Sequence, residues 1–122
     1  MKALVIDDSR AIRRILVKTL KELDIEVVEA GHGQEALDKL AAGEEVDLIM
    51  VDWNMPEMNG YDFIVAVRAQ DKFQEVPIMM VTTESEMSQM TRAIEAGATE
   101  YLMKPFTKEM IAEKLDLMGI SF

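Results

Sequence analysis

Cysteine is absent from the 122 residues. That absence removes disulfides, thiol nucleophiles and thiolate metal sites together. No apolar run approaches the ~20 residues that a membrane-spanning helix requires. The N-terminus lacks the basic segment, long apolar stretch and cleavage site of a secretory signal. Positive charge is also scarce: Lys and Arg number 13 against 23 Asp and Glu, a formal charge of −10. Direct nucleic-acid binding rests on cationic contacts to phosphates and is therefore not expected. Together these absences predict a soluble, cytoplasmic protein with no membrane insertion.

What is present supports a folded chain. Hydrophobic residues make up 49% of it, enough for an ordinary core and too many for disorder. The length predicts one domain over residues 1–122. The excess of acid leaves room for a functional cluster of carboxylates. The 11 Met residues suit irregular cores and adaptable binding surfaces alike.

Apolar runs and helical periods alternate along the chain. Residues 3–6, "ALVI", predict a buried strand, followed by a helix with Ile12, Leu16, Thr19, Leu20 and Leu23 on one face. Residues 25–30 predict a second strand. "GHGQEALDKLAAG" then predicts a short helix with Ala36, Leu37, Leu40 and Ala41 inward, bracketed by Gly33 and Gly43. Residues 46–51 form the third predicted strand, and Tyr61, Ile64 and Val67 the inner face of a third helix. "VPIMMV", 76–81, reads as a strand with Pro77 near its start, where a missing N–H is tolerable. A helix carrying Met87, Met90, Thr91 and Ile94 follows, with Gly97 suited to its C-terminal cap. That face is expected to be part core and part partner surface. Residues 99–103 and 106–118 supply a last strand and a last helix, the latter packing through Met110, Ile111, Leu115 and Met118.

Five strand–helix alternations imply an α/β fold, a mainly parallel sheet with helices on both faces. Ligands of such sheets bind outside the carboxyl ends of the strands. There the sequence places Asp7 and Asp8, then Asp52, then Thr82 and Thr83, then Lys104 and Pro105. Converging carboxylates repel one another and resist ionisation unless a cation joins them. Mg²⁺ suits such a group, since it takes one or two carboxylates, keeps water and shares positions with phosphate oxygens. A hydroxyl and an ammonium are what a phosphoryl group needs for its other oxygens. Asp52 is the natural nucleophile, because carboxylates form aspartyl phosphates.

Taken singly, each feature has an ordinary reading. Asp7–Asp8 fits an acidic helix start, Asp52 a loop, Thr82 an N-cap and Lys104 a solvated surface. Their joint occurrence at successive strand ends favours a site. His32, between two glycines, reads as a solvated loop residue. Trp53 fits gating or packing equally, and Tyr101 by itself is a common strand residue.

"VIDDS", "VDWNMPEMNG", "VTTE" and "YLMKPF", in this order, resemble the receiver domain of two-component response regulators. The "DDSRAIRR" and "DWNMPEMNG" segments are most similar to single-domain chemotaxis regulators of the CheY type. The resemblance implies a flavodoxin-like five-stranded parallel sheet in 2-1-3-4-5 order with five helices. It makes Asp52 the phosphoacceptor, modified to 4-aspartylphosphate, and Asp7, Asp8, Asp52 and the backbone carbonyl of Asn54 the ligands of Mg²⁺. Thr82 and Lys104 match the residues that contact the phosphoryl group, and Thr82 and Tyr101 the switch pair. Lys104–Pro105 matches a peptide bond that is cis in the family.

The resemblance further implies a histidine kinase as donor, signalling through the face of the fourth helix, fifth strand and fifth helix, and binding to a flagellar motor switch protein. A phosphatase is a further implied partner, and the chain is expected to act as a monomer. It would catalyse its own phosphorylation and dephosphorylation without being a turnover enzyme. A receiver in a non-chemotactic phosphorelay would carry the same residues. The starting Met and short tail favour a complete chain without a DNA-binding output domain. Thr83 departs from the chemotaxis pattern, where Ala is usual, whereas Glu84 and Asn54 agree with it. A Mg²⁺-dependent phosphatase of the haloacid dehalogenase type shares the Asp, Thr and Lys, but needs an Asp where this chain has Asn54. An FMN carrier of flavodoxin type needs a neutral Ser/Thr/Gly loop where this chain has "DDSRAIRR".

Overall fold

A computed structural model describes residues 1–120, together with all side chains in that span except those of Glu84, Ser85 and Met87. The expectations for Met87 and for the Glu84 side chain therefore lie outside the described residues. The strands are β1 (Lys2–Ile6), β2 (Glu26–Ala30), β3 (Leu48–Asp52), β4 (Ile78–Thr82) and β5 (Glu100–Met103). Interleaved with them are α1 (Arg10–Glu22), α2 (Gly33–Ala41), α3 (Gly60–Arg68), α4 (Met90–Ala96) and α5 (Lys108–Leu117). Two 3₁₀ turns, Asp71–Phe73 and Glu84–Gln89, precede β4 and α4.

All neighbouring strands pair in parallel, in the order β2-β1-β3-β4-β5. The strands alternate their side chains between two apolar layers, as a period of two requires. Leu4, Ile6, Ile49, Val51, Ile78 and Met80 face Ala36, Leu40, Phe63, Ile64, Val67 and Ala93, so α2, α3 and α4 cover one side. Ala3, Val5, Leu48, Met50, Met79, Val81 and Leu102 face Leu16, Leu20, Ile111 and Leu115, so α1 and α5 cover the other. With both faces covered, β3 and β4 read as unbroken apolar runs, and every residue in them is buried.

Helix starts follow from capping chemistry. Ser9 Oγ accepts from Ile12 N (3.3 Å), Asn59 Oδ1 from Asp62 N (2.9 Å) and Thr107 Oγ1 from Met110 N (3.1 Å). His32 is not a bystander in a loop: it is exposed, but its Nδ1 accepts from Glu35 N at 3.1 Å and caps α2. Gly97, with φ of +124°, closes α4 as expected.

Several expectations need correction. Ala41 is exposed, since α2 ends there and turns outward. Phe63 is the buried aromatic of α3, beside Ile64 and Val67, while Tyr61 is only half-buried and sits edge-on to Trp53 with ring centroids 6.4 Å apart. The fourth helix begins as a 3₁₀ turn and becomes α-helical only at Met90. Its mixed character holds: Met90 is buried, whereas Thr91 and Ile94 are exposed, Ile94 by 47%. Strand bounds shift by a residue or two, which puts Asp52 and Thr82 inside the sheet as the last residues of β3 and β4. The Lys104–Pro105 bond is cis.

Candidate functional site

The site lies at the carboxyl edge of β1, β3, β4 and β5. Register brings it together: Asp52 pairs with Val81 and Thr82 with Met103, so the chain-distant ends of β3, β4 and β5 align. Asp7 follows β1 directly. Its backbone N–H donates to Ala30 O at 3.2 Å, its carbonyl accepts from Arg13 Nη1 at 2.6 Å, and its Oδ1 accepts from Ser9 N at 2.8 Å. Asp7 is thus fixed by its backbone and one carboxylate oxygen, leaving Oδ2 for other work.

Asp7, Asp8 and Asp52 each offer a carboxylate oxygen, and these oxygens lie within 4.8 Å of one another. Asp7 and Asp52 are buried, at 1% and 4% exposure, and Asp8 opens to solvent. Lys104 Nζ is 3.0 Å from Asp52 Oδ1 and 3.7 Å from Asp7 Oδ2. Lys104 is held from the far side as well, its N–H donating to Thr82 O at 2.7 Å. It is therefore a half-buried member of the cluster rather than a solvated surface lysine. Thr82 is fully buried at the end of β4 and is not an N-cap. Asn54 stands in the exposed loop two residues beyond Asp52. Tyr101 is half-buried in β5, with Lys114 Nζ 4.2 Å above its ring.

The electrostatics are those of crowded acid. Burial pushes the Asp52 carboxyl up to about 6, against the pull of the Lys104 ammonium and with a further push from Asp7 and Glu86. Burial raises Asp7 too, opposed by the Ser9 N–H and Lys104. For Lys104, burial lowers affinity for the proton, but the hydrogen bond to Asp52 and the charges of Asp52, Asp7 and Glu86 prevail and raise it. One ammonium faces three carboxylates, which leaves the cluster net negative. Asp7 Oδ2 is buried without a hydrogen-bond partner. An orphaned buried carboxylate oxygen beside two more carboxylates, all oxygen donors, fits a hard divalent cation.

Two contributors escaped sequence reading. Arg13 clamps the Asp7 carbonyl. Glu86 Oε1 accepts from Thr83 N and from Thr83 Oγ1, both at 3.0 Å, and lies 3.5 Å from Thr82 Oγ1. The spacing Thr83-x-x-Glu86 is that of a capping box and was the available signal.

Comparison with known proteins agrees with this fold. Residues 3–116 match the family model described as the response regulator receiver domain. The chain is 47% identical over 119 residues to a Helicobacter pylori protein named chemotaxis protein CheY1, covering 97% of this chain and 96% of that one. It is also 47% identical over 121 residues to a CheY homolog of Campylobacter jejuni, covering 98% and 93%. The solved structure of Vibrio cholerae chemotaxis protein CheY4 superposes with a TM-score of 0.89 at 39% identity, covering 96% of this chain and 97% of that one.

Proposed function

The chain belongs to the response regulator receiver domain family, and from that premise we propose that it is a chemotaxis regulator switched by phosphorylation of Asp52. Residues 1–122 are read as one receiver domain. The observation that carries the reading is the 3.0 Å contact of Lys104 Nζ with Asp52 Oδ1, inside a cluster whose three carboxylates reach within 4.8 Å of one another. A histidine kinase is the donor. The Asp52 carboxylate attacks the phosphorus of a phosphohistidine, a P–O bond forms, and the P–N bond breaks with its electron pair leaving on the imidazole.

Asp7, Asp8, Asp52 and the Asn54 carbonyl would hold Mg²⁺, which when bound supplies positive charge to the phosphoryl oxygens. Lys104 neutralises a further oxygen of the group in transfer. Burial of Asp52 limits water at the acyl phosphate. Thr82 supplies a hydroxyl for the remaining oxygen and draws the segment before α4 toward the site. Tyr101 moves inward as that segment shifts. Phosphorylation need only bind the active arrangement better than the resting one to change its population. The output face is α4, β5 and α5, where Ile94 is exposed and Tyr101 half-exposed. The names of the relatives support a role in chemotaxis, and the target on this reading is a flagellar motor switch protein. The protein acts as a signal carrier, and its self-catalysed transfer is not turnover.

Incubation with acetyl phosphate and Mg²⁺ tests the site. Mass spectrometry should show a single phosphoryl group on Asp52 and none in Asp52→Asn. Undiminished labelling mapped to another residue would reject the assignment.

A further inference from the structure

The segment that follows β4 carries a feature that the phosphoryl-transfer residues do not use. Glu86 folds back within the 3₁₀ turn Glu84–Gln89 and sets one oxygen against the donors of Thr83 and near the hydroxyl of Thr82. A capping box would account for the bond to the Thr83 N–H, but only for that one. Here the same oxygen also takes the Thr83 hydroxyl and approaches Thr82 Oγ1. Among the described residues, the Thr82 hydroxyl has otherwise the Thr83 carbonyl, at 3.3 Å. An anionic oxygen surrounded by a hydroxyl, an N–H and a second hydroxyl occupies an environment that suits a phosphoryl oxygen.

We propose that Glu86 is an internal competitor of the phosphoryl group, a carboxylate that holds the Thr82–Thr83 corner in the resting state and must be displaced on phosphorylation. This rests on the reading of Asp52 as phosphoacceptor. Two costs follow for phosphorylation. The incoming anion meets the repulsion of Glu86, and the Thr82 hydroxyl must leave its resting partners. Both costs bias the protein toward the inactive state and make Glu86 a determinant of how readily it is phosphorylated. Displaced, Glu86 would swing toward solvent, which couples the state of the site to the segment leading into α4.

Beryllofluoride, an analogue of the phosphoryl group, gives the test when titrated with Mg²⁺ in excess and followed by Trp53 fluorescence. Glu86→Ala and Glu86→Gln should both bind it more tightly than wild type, on the order of three- to tenfold, as expected for removing one partly screened charge. Gln retains an acceptor for the Thr83 N–H, so its gain separates charge from capping. Steady-state labelling by acetyl phosphate should rise in parallel. Unchanged or weaker binding in both variants, with a lowered melting temperature, would mean that Glu86 is only a cap and would overturn the proposal. Failure of wild type itself to bind beryllofluoride or to label would instead overturn the reading of Asp52 on which the proposal stands.

Discussion

Lys104 Nζ lies 3.0 Å from Asp52 Oδ1, although 52 residues separate the two in the chain. The same ammonium is 3.7 Å from Asp7 Oδ2. It is therefore the resting counter-ion of the very carboxylates proposed to receive the metal.

Lysine and metal should consequently oppose each other in the resting state. Lys104→Ala removes a unit charge next to the cation site. Mg²⁺ affinity, read by Trp53 fluorescence near pH 8, should rise several-fold, the direction set by like-charge repulsion at short range. Labelling by acetyl phosphate should nevertheless fall by about tenfold or more, since a charge that stabilises the transferring group is lost. Weaker Mg²⁺ binding in the variant would show that Lys104 positions the carboxylates rather than competing for them.

The second prediction concerns stability and pH. Asp52 is raised from its ordinary 3.8 to about 6. The folded state therefore holds this proton more tightly than the unfolded state does. The sign is that stability falls as pH rises from about 4 to about 6, and the loss persists above that window. The gap of about two pH units corresponds to roughly 3 kcal/mol at neutral pH. Asp52→Asn keeps the shape and removes the charge. In EDTA at pH 7 it should unfold at higher urea, with a gain of about 1–3 kcal/mol that shrinks as pH falls through the same window. Mg²⁺ should stabilise wild type more than the variant, because ligand binding to the native state adds stability by mass action. An equal gain at pH 4 and pH 7 would remove burial of the charge as the cause.

Much of the fold is legible in the sequence. Buried parallel strands read as short apolar runs, and "LIMV" and "IMMV" are unmistakable as such. Asp7, Asp52, Thr82 and Lys104 follow from the rule that function gathers at strand ends. The strand order did not come from periodicity, which is blind to which strands pair, but from family resemblance. Other misses share a cause, namely that they depend on side-chain geometry. His32 looked like a loop residue because a histidine is an uncommon cap. Ala41 looked inward because helical periodicity cannot tell where the helix stops. Glu86 went unseen because its partners are a backbone N–H and two hydroxyls. Phe63 was passed over for Tyr61 because helical spacing admits both, Tyr61 three residues before Ile64 and Phe63 four before Val67, and only Phe63 is buried.

Thr83, directly after Thr82, should govern how long the phosphoryl group lasts. Its side chain is half-buried beside Thr82 and bonded to Glu86. This branched side chain is expected to crowd the approach of water to Asp52. Thr83→Ala should speed loss of phosphate by about three- to tenfold, or about 0.7–1.4 kcal/mol of barrier. Decay of the labelled protein after removal of acetyl phosphate measures it directly. Identical half-lives would indicate that water enters by another route.

The last prediction follows from Gly60. It is the first residue of α3, and its N–H donates to Trp53 O at 2.9 Å. A Cβ built there would stand 2.7 Å from the carbonyl oxygen of Asp52 and 3.0 Å from both Met80 Sδ and Trp53 Cα. The methionine end can move aside, but the two backbone atoms belong to β3 and the turn after it. The residue is therefore glycine for lack of room, not for backbone freedom, and its neighbour in the clash is the proposed phosphoacceptor. Gly60→Ala should lower stability by about 1–3 kcal/mol, the usual cost of overpacking a tight site. Because the strain falls on Asp52, labelling by acetyl phosphate should drop more than in a control substitution of equal stability cost on the far face, such as Leu20→Ala adjusted for its loss of folded protein. Urea unfolding and labelling rates measured on the same preparations separate the two effects. A Gly60→Ala protein as stable as wild type would show that α3 can slide away from β3, and that the close approach does not hold Asp52 in place.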